Sequence, residues 1–190
     1  MKMKHININK LFTLILLFSY SSITFAQAPT DDNLVYWSAT KKLTVNDFSI
    51  KITGREVSSA QFSTEYHING FNFLTKNFNK KVLNYMIKSA SQIDTTANVK
   101  ESLIFQQTLF DLCEIYAREF RKALRDNRKK LISGTEIVKE LDHQIMTKLV
   151  NRKREYTLET NSGCAPIKQK EWETQIAKEL EELKDFAYEK

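Results

Sequence analysis

One stretch constrains the fold of this chain more than any other. Residues 103–124, LIFQQTLFDLCEIYAREFRKAL, read as one helix with apolar side chains on more than one face. No ionisable side chain occurs between Leu103 and Phe110. Because such a helix must be buried, the pattern predicts a central helix from about Val99 to Arg128, with the rest of the chain packed around it.

The segment from Leu34 to Phe78 carries the patterns of β-strands. FSIKIT is followed by Gly54, and in FSTEYHI the side chains of one face alternate with polar side chains of the other face. One face of that second strand carries Phe62, Thr64, Tyr66 and Ile68. Asn69 and Gly70 form a hairpin-turn signal, after which FNFLTKNF is predicted to return as a strand. These patterns predict a small, mostly antiparallel sheet whose apolar face needs cover.

The remainder of the chain has helical patterns. KKVLNYMIKSA, residues 80–90, fits either the end of a strand or a short helix. A second helix is predicted after Ser133, where SGTE has the form of a capping box. Its expected buried residues are Ile137, Leu141, Ile145 and Leu149. A third helix is predicted from Pro166, a favoured first-turn residue. Its apolar stripe is Trp172, Ile176, Leu180, Leu183 and Ala187.

The predicted fold class is therefore α+β, a small antiparallel sheet followed by about three helices. We expect a single domain over 34–190, with a sheet part at 34–78 and a helical part at 80–190. The length of that segment is typical of one domain with its own core.

The first 26 residues have the form of a cleavable signal peptide. MKMKHININK is a basic start, LFTLILLF an apolar core and SYSSITFAQA a run of small and polar residues. Cleavage after Ala26 or Ala28 fits the pattern. The expected location is therefore the periplasm or the extracellular medium, and no later segment is apolar enough to be a transmembrane helix.

Export changes the meaning of the net charge. The formal charge of the full chain is +6, and it falls to +3 once Lys2, Lys4 and Lys10 leave with the signal peptide. The remaining charges of both signs are mixed along helices, and no basic-aromatic motif occurs. This composition disfavours nucleic acid as a partner.

Three blocks of sequence resemble a known family. The first block is YWSATKKLTVNDF, where the matches are Trp37, Leu43, Thr44, Asp47 and Phe48 and where Val45 replaces a second tryptophan. The second is FQQTLFDLCEIYAREFRKAL, and the third is YTLETNSG followed by Gln169 and Trp172. In this order and with this spacing, the blocks resemble the secreted, zinc-dependent peptidase-like proteins of Gram-negative bacteria, which share a domain of uncharacterised function.

The resemblance implies a zincin-like central helix with a zinc site that has degenerated. In the family, two histidines one helical turn apart bind zinc, and a glutamate after the first accepts a proton from the bound water. Here Phe105 and Leu109 stand at the two ligand positions and Gln106 at the base position. Ser162 stands at the position of a third ligand. None of these four side chains can perform the family role.

The rest of the family pattern is retained. The retained residues include Asp111, Glu114, Tyr116, Arg118, Glu159 and Asn161. We expect Glu114, Tyr116 and Arg118 to form a structural polar network, and Glu159 or Asn161 to brace the loop before the third helix. The resemblance therefore implies a pseudoenzyme with no catalytic residue and no cofactor, although the family uses zinc.

Three functions remain open at this point. The first is binding of an envelope or extracellular protein or peptide. The second is a metal-dependent peptidase whose ligands are other residues. His67, predicted to face solvent from its strand, and His143, predicted on a helix surface, lack the spacing of paired zinc ligands. The third is an assembly role, in which the stripe of the third helix docks on a partner instead of the core.

The two cysteines allow a disulfide in an exported protein, with two free thiols as the alternative. The resemblance suggests the pair, because a zinc ion in the family would bring the central helix close to the loop near Ser162. A Cys113–Cys164 disulfide would then join these two regions in place of the metal. It would contribute about 4 kcal/mol by closing a loop of this length.

Overall fold

The protein is described by a computed structural model that covers residues 31–54, 57–67 and 82–188. Its class is α+β, as predicted, with a small sheet followed by helices. The strands are β1 Leu34–Tyr36, β2 Ile50–Ile52, β3 Ser59–Tyr66 and β4 Val82–Asp94. The helices are α1 Val99–Asp126, α2 Arg128–Ser133, α3 Glu136–Glu159 and α4 Pro166–Glu182. Short 3₁₀ turns occur at Asp31–Asn33, Val45–Asp47 and Lys184–Phe186.

β4 is the centre of the sheet. β1 and β3 pair with it antiparallel, with Val35 opposite Met86 and Phe62 also opposite Met86. β2 pairs parallel to its second half, with Lys51 opposite Ile93. The sheet is therefore mixed, whereas the sequence predicted an antiparallel sheet. The parallel pair arises because β4 is long enough to pair with β1 along one half and with β2 along the other.

The boundary between sheet and helices differs from the predicted one. Residues 80–90 fit a strand or a short helix, and the structure places Val82–Asp94 in the longest strand. The sheet part therefore extends to Asp94, and the helical part begins at Val99 instead of residue 80. Both faces of β4 are buried along much of its length, which explains why its apolar pattern does not alternate strictly. The predicted signal peptide, the Asn69–Gly70 turn and the returning strand at 71–78 lie outside the described residues.

α1 covers the apolar face of the sheet and is the central helix of the domain. Phe62 of β3 stacks on Phe110 with ring centroids 4.8 Å apart, and Tyr66 meets Phe120 edge-on at 5.1 Å. Trp37 from the chain after β1 belongs to the same smaller core cluster as Phe110. The prediction of a buried helix from about Val99 is confirmed, because most of its side chains are buried.

α3 and α4 pack against the other side of α1. On α3, Ile145 and Leu149 are buried as predicted, whereas Ile137 and Leu141 are only partly buried. The predicted capping box from Ser133 to Glu136 is absent, because Ser133 is the last residue of α2 and the N-cap of α3 is Thr135, which makes no side-chain cap hydrogen bond. The chain between α1 and α3 instead forms the short helix α2. No helix in the described ranges is both long enough and apolar enough to cross a membrane.

The stripe of α4 faces the core. Trp172 and Ile176 are buried in the larger cluster, and Leu180 and Leu183 pack against it. Ala187 lies after the helix, which ends at Glu182 because a 3₁₀ turn follows. The docking of α4 against α1 brings the third sequence block close to the second.

Candidate functional site

The four positions that the family resemblance assigns to a zinc site come together in one cleft. Phe105, Gln106 and Leu109 of α1 and Ser162 of the loop before α4 all line a cavity of about 720 Å³. The start of β3, residues 57–60, lines it from the sheet side. We call this cavity the β3–α1 cleft. Sequence positions that lie more than fifty residues apart therefore share one concave surface.

Aromatic packing holds Phe105 in place. Its ring stacks on Tyr156 of α3 with centroids 5.0 Å apart, and the Tyr156 hydroxyl donates a 3.3 Å hydrogen bond to the Phe105 carbonyl. Gly163 approaches from the loop, and a Cβ built there would lie 3.0 Å from the Cβ of Phe105. The first ligand position is thus filled by a ring that joins α1, α3 and the loop.

Gln106 binds the backbone of β3. Its side-chain nitrogen donates to the Ser58 carbonyl at 2.9 Å, and its side-chain oxygen accepts from the Ala60 N–H at 3.1 Å. An acceptor at one residue and a donor two residues later are the groups that a parallel neighbouring strand would use. The buried amide therefore satisfies part of the β3 edge and is not positioned as a proton acceptor.

The loop that carries Ser162 has an unusual backbone. Asn161, Ser162 and Gly163 are consecutive and have φ of 48°, 54° and 88°. Thr160 fixes its start, because its hydroxyl donates to the Tyr156 carbonyl at 2.7 Å and accepts from the Gly163 N–H at 3.3 Å. Left-handed conformations at two non-glycine residues are uncommon and require support from the surrounding contacts. Here Thr160 and the contact with Phe105 supply that support, and Ser162 remains exposed at the cleft.

Asp111 joins the first sequence block to the second. Its Oδ1 accepts from the Trp37 indole at 2.7 Å and from Gln107 at 2.8 Å, and Lys42 lies 3.6 Å from Oδ2. Burial raises the pKa of Asp111, and the charge of Lys42 and the two hydrogen bonds offset part of that effect. Gln107 also accepts from the backbone N–H of Leu43 at 2.8 Å. The retained aspartate is therefore a structural anchor for the chain after β1.

Glu114 is the centre of a buried network beneath β4. Its Oε1 accepts from Arg118 at 3.1 Å and Arg121 at 2.8 Å, and its Oε2 accepts from Asn84 at 3.2 Å. Arg121, which is fully buried, also donates to the carbonyls of Val82 and Phe186. Glu114 and Arg118 thus lie in one buried polar network, whereas Tyr116, which was predicted to join it, lies near Arg152 instead. The contacts of Glu114 and Arg118 give neither residue access to the β3–α1 cleft.

Glu159 and Tyr116, two further residues that match the family pattern, contact side chains of neighbouring helices. Glu159 accepts from the Trp172 indole at 2.9 Å, as expected for a residue that braces the loop. Tyr116 lies near Arg152, and burial raises the pKa of its hydroxyl while Arg152 lowers it. Asn161 contributes its left-handed backbone conformation, which asparagine adopts more readily than most residues.

Metal-ligating side chains do not converge. Within residues 31–54, 57–67 and 82–188, no three His, Cys, Asp or Glu side chains are grouped so that they could hold a metal ion. His67 is exposed and lies 2.5 Å from Glu65, and His143 is exposed on α3. Neither histidine lines the β3–α1 cleft.

The predicted Cys113–Cys164 disulfide is not formed in the structure. Both residues are free thiols, with Cys113 buried and Cys164 exposed at the cleft. The loop meets α1 at Phe105, and Cys113 lies two turns later, about 12 Å along the helix axis. Cα atoms joined by a disulfide lie within about 7 Å, so the meeting point is too far from Cys113.

The sequence analysis did not single out Glu101, which lines the cleft. Glu101 lies one turn before Phe105 and two before Leu109, and this four-residue spacing was a visible signal that all three share a side of α1. Tyr156, the first residue of the third sequence block, stacks on Phe105, and this role depends on how α3 crosses α1. No protein-family model, curated protein or solved structure matches this chain. The assignment of the site therefore rests on its geometry.

Proposed function

We propose that this protein is an exported, non-catalytic relative of the zinc peptidase-like proteins that it resembles. In this proposal it leaves the cytoplasm through the signal peptide at 1–26 and binds a protein or peptide segment in the β3–α1 cleft. The observation that carries the proposal is the convergence of Phe105, Gln106, Leu109 and Ser162 on that cleft.

The chemistry of these four side chains supports binding without hydrolysis. Phe105 and Leu109 have no lone pair for a metal, and an amide such as Gln106 cannot accept a proton near neutral pH. The Gln106 amide is also occupied by Ser58 and Ala60. A hydrolase would need a metal-bound water or another activated nucleophile at this place.

The shape and lining of the cleft support a peptide as ligand. Its volume of about 720 Å³ lies within the usual range of ligand pockets. One wall is the backbone of a strand, and extended peptides commonly bind beside strands. Apolar surface from Phe105 and Leu109 and hydroxyl groups from Ser59 and Ser102 lie together in the lining. Such a surface can accept an apolar side chain and bind the polar backbone next to it.

The proposal is tested first by the mass of the exported protein, measured under native and then denaturing conditions. We expect a metal-free chain that begins after the signal peptide. A stoichiometric zinc adduct, or proteolysis that a chelator abolishes, would favour the active peptidase instead.

Binding is tested by selection from a displayed peptide library. Ser59→Trp places a bulky side chain in the cleft from an exposed strand position, and Ser133→Trp makes the same change at an exposed position outside it. We expect selected peptides to bind the wild type and Ser133→Trp, and to lose affinity for Ser59→Trp. Equal affinity for all three proteins would exclude the cleft as the binding site.

A further inference from the structure

The β3–α1 cleft carries one sign of charge. Among the described residues, its lining contains the carboxylates of Asp94 and Glu101 and no lysine, arginine or histidine. The chain as a whole has a formal charge of +6. The cleft therefore departs from the average of the molecule, and this sign favours a cationic group on whatever it binds.

The two carboxylates differ in access. Asp94 is buried and its Oδ1 accepts from the backbone N–H groups of Thr96 and Ala97 at 2.6 and 3.2 Å. Glu101 is exposed in the first turn of α1, one helical turn from Phe105. A ligand in the cleft can therefore contact the Glu101 carboxylate directly, whereas the charge of the buried Asp94 acts on the ligand without contact.

The beginnings of α1 and α4 are sources of opposite sign at the cleft, because Asn98 and Pro166 both line it. A helix N-terminus is equivalent to about half a positive charge, and Asn98 makes no side-chain cap hydrogen bond. The two negative charges of Glu101 and Asp94 exceed the sum of these two helix ends. The lining thus remains favourable to cations, and an anionic segment is the weaker candidate.

We infer that the ligand is a protein segment in which an apolar residue lies next to a lysine or arginine. The apolar side chain packs on Phe105 and Leu109, and the basic side chain pairs with Glu101. This inference rests on the proposed function and adds the chemical class of the ligand. Exposed ion pairs are weak, so the charge sets the preference between segments and the apolar contact supplies more of the affinity.

The test uses two blocked hexapeptides, one of alternating leucine and lysine and one with glutamate in place of lysine. Their dissociation constants are measured by fluorescence anisotropy at low salt, and amide chemical shifts locate the bound peptide. We expect the lysine peptide to bind about fivefold more tightly, since attraction to Glu101 is replaced by repulsion of similar size. Shift changes should concentrate at residues 57–60 and 101–109.

Glu101→Gln should remove most of that preference and leave the fold intact, because Glu101 is exposed. Glu155→Gln, an exposed carboxylate on α3 outside the cleft, is the matched control and should retain the preference. Equal affinities, a preference for glutamate, a preference unchanged in Glu101→Gln, or no binding of either peptide would overturn the inference. If library peptides still bind in the cleft under those results, the proposed function stands and only the ligand class is wrong.

Discussion

At the scale of single residues, Gln106 shows how a side chain of the candidate site contributes to the fold. One amide supplies both the donor and the acceptor that the β3 backbone needs. A glutamate, the residue that the family resemblance places here, has no proton to donate when ionised. An amide at this position therefore suits the structural contact with β3 better than a carboxylate would.

Gln106→Glu should destabilise the fold by about 2 kcal/mol at neutral pH, because a buried carboxylate would face the Ser58 carbonyl. Burial would raise the pKa of the new carboxyl in the folded state. The loss should therefore be full above that pKa and should diminish as pH falls through it, since the protonated acid again donates a hydrogen bond. Urea unfolding at several pH values measures this change.

Gln61→Glu, at an exposed position on β3, is the control for Gln106→Glu and should have little effect. A loss for Gln106→Glu that does not depend on pH would show that charge at this position is not its cause.

The two thiols should differ sharply in reactivity. Burial raises the pKa of Cys113 to about 11, and the thiolate is the reactive form, so Cys113 should resist alkylation in the native protein. Cys164 is exposed and should react. Mass spectrometry of the purified protein, alkylated without reductant, should find one modified cysteine when native and two in denaturant. No modification in either condition would indicate the disulfide that the structure lacks.

At the scale of elements, one ion pair joins α3 to α4. The two terminal nitrogens of the Arg152 guanidinium each donate to one carboxylate oxygen of Glu179 at 2.5 Å. Arg152 also lies over the Trp172 ring, 5.5 Å from its centroid. Burial raises the pKa of Glu179, but the hydrogen bond and charge of Arg152 outweigh it and lower the pKa overall. The two helices thus depend partly on an ionised Glu179.

Glu179→Gln should lower the free energy of unfolding by about 1 kcal/mol at neutral pH, because the pair is only partly buried. Since the folded-state pKa of Glu179 is depressed, its contribution is present above the ordinary pKa of glutamate and is lost as pH falls through the folded-state value. The difference between wild type and variant should therefore vanish in acid.

Chemical denaturation at neutral and acidic pH measures the contribution of Glu179. Glu182→Gln, which alters the more exposed pair with Lys178, should have almost no effect at either pH. Equal losses for the two variants would argue against a specific role for the Arg152–Glu179 pair.

At the scale of the whole molecule, the three sequence blocks meet on α1. Trp37 of the first block binds Asp111, and Gln169 of the third binds Thr108 at 3.0 Å and the Tyr156 hydroxyl at 2.7 Å. Polar side chains of α1 are therefore hydrogen-bonded on one side to the chain after β1 and on the other side to residues of α3 and α4. Most of the residues that match the family pattern therefore make contacts that stabilise the fold.

The apolar stripe of α4 should behave as core. Ile176→Asp should cost about 4 kcal/mol or more, because it buries a charge in the larger cluster, where Ile176 is 2% exposed. Ile167→Asp, on the same helix at a residue that is 76% exposed, should leave stability almost unchanged. Thermal unfolding distinguishes the two. A folded Ile176→Asp variant would restore the assembly role as an explanation for the stripe.

The sequence by itself determined the α+β class, the central buried helix and the positions of α3 and α4, because apolar periodicity and helix-start signals act locally. It did not determine the strand at Val82–Asp94, since a strand buried on both faces has no strict alternation. The parallel pairing of β2 also depended on contacts between distant segments.

The candidate site was likewise determined partly by the sequence and partly by the tertiary structure. The residue types at Phe105, Gln106 and Leu109 were visible in the chain, and they show that these side chains cannot act as the metal ligands and base that the family resemblance would place there. Only the tertiary structure placed Ser162 beside them and kept Cys113 away from Cys164, because the docking of the loop on Phe105 sets both separations. It also gave Gln106 its partners on β3, since a side chain's hydrogen bonds depend on which backbone lies within reach.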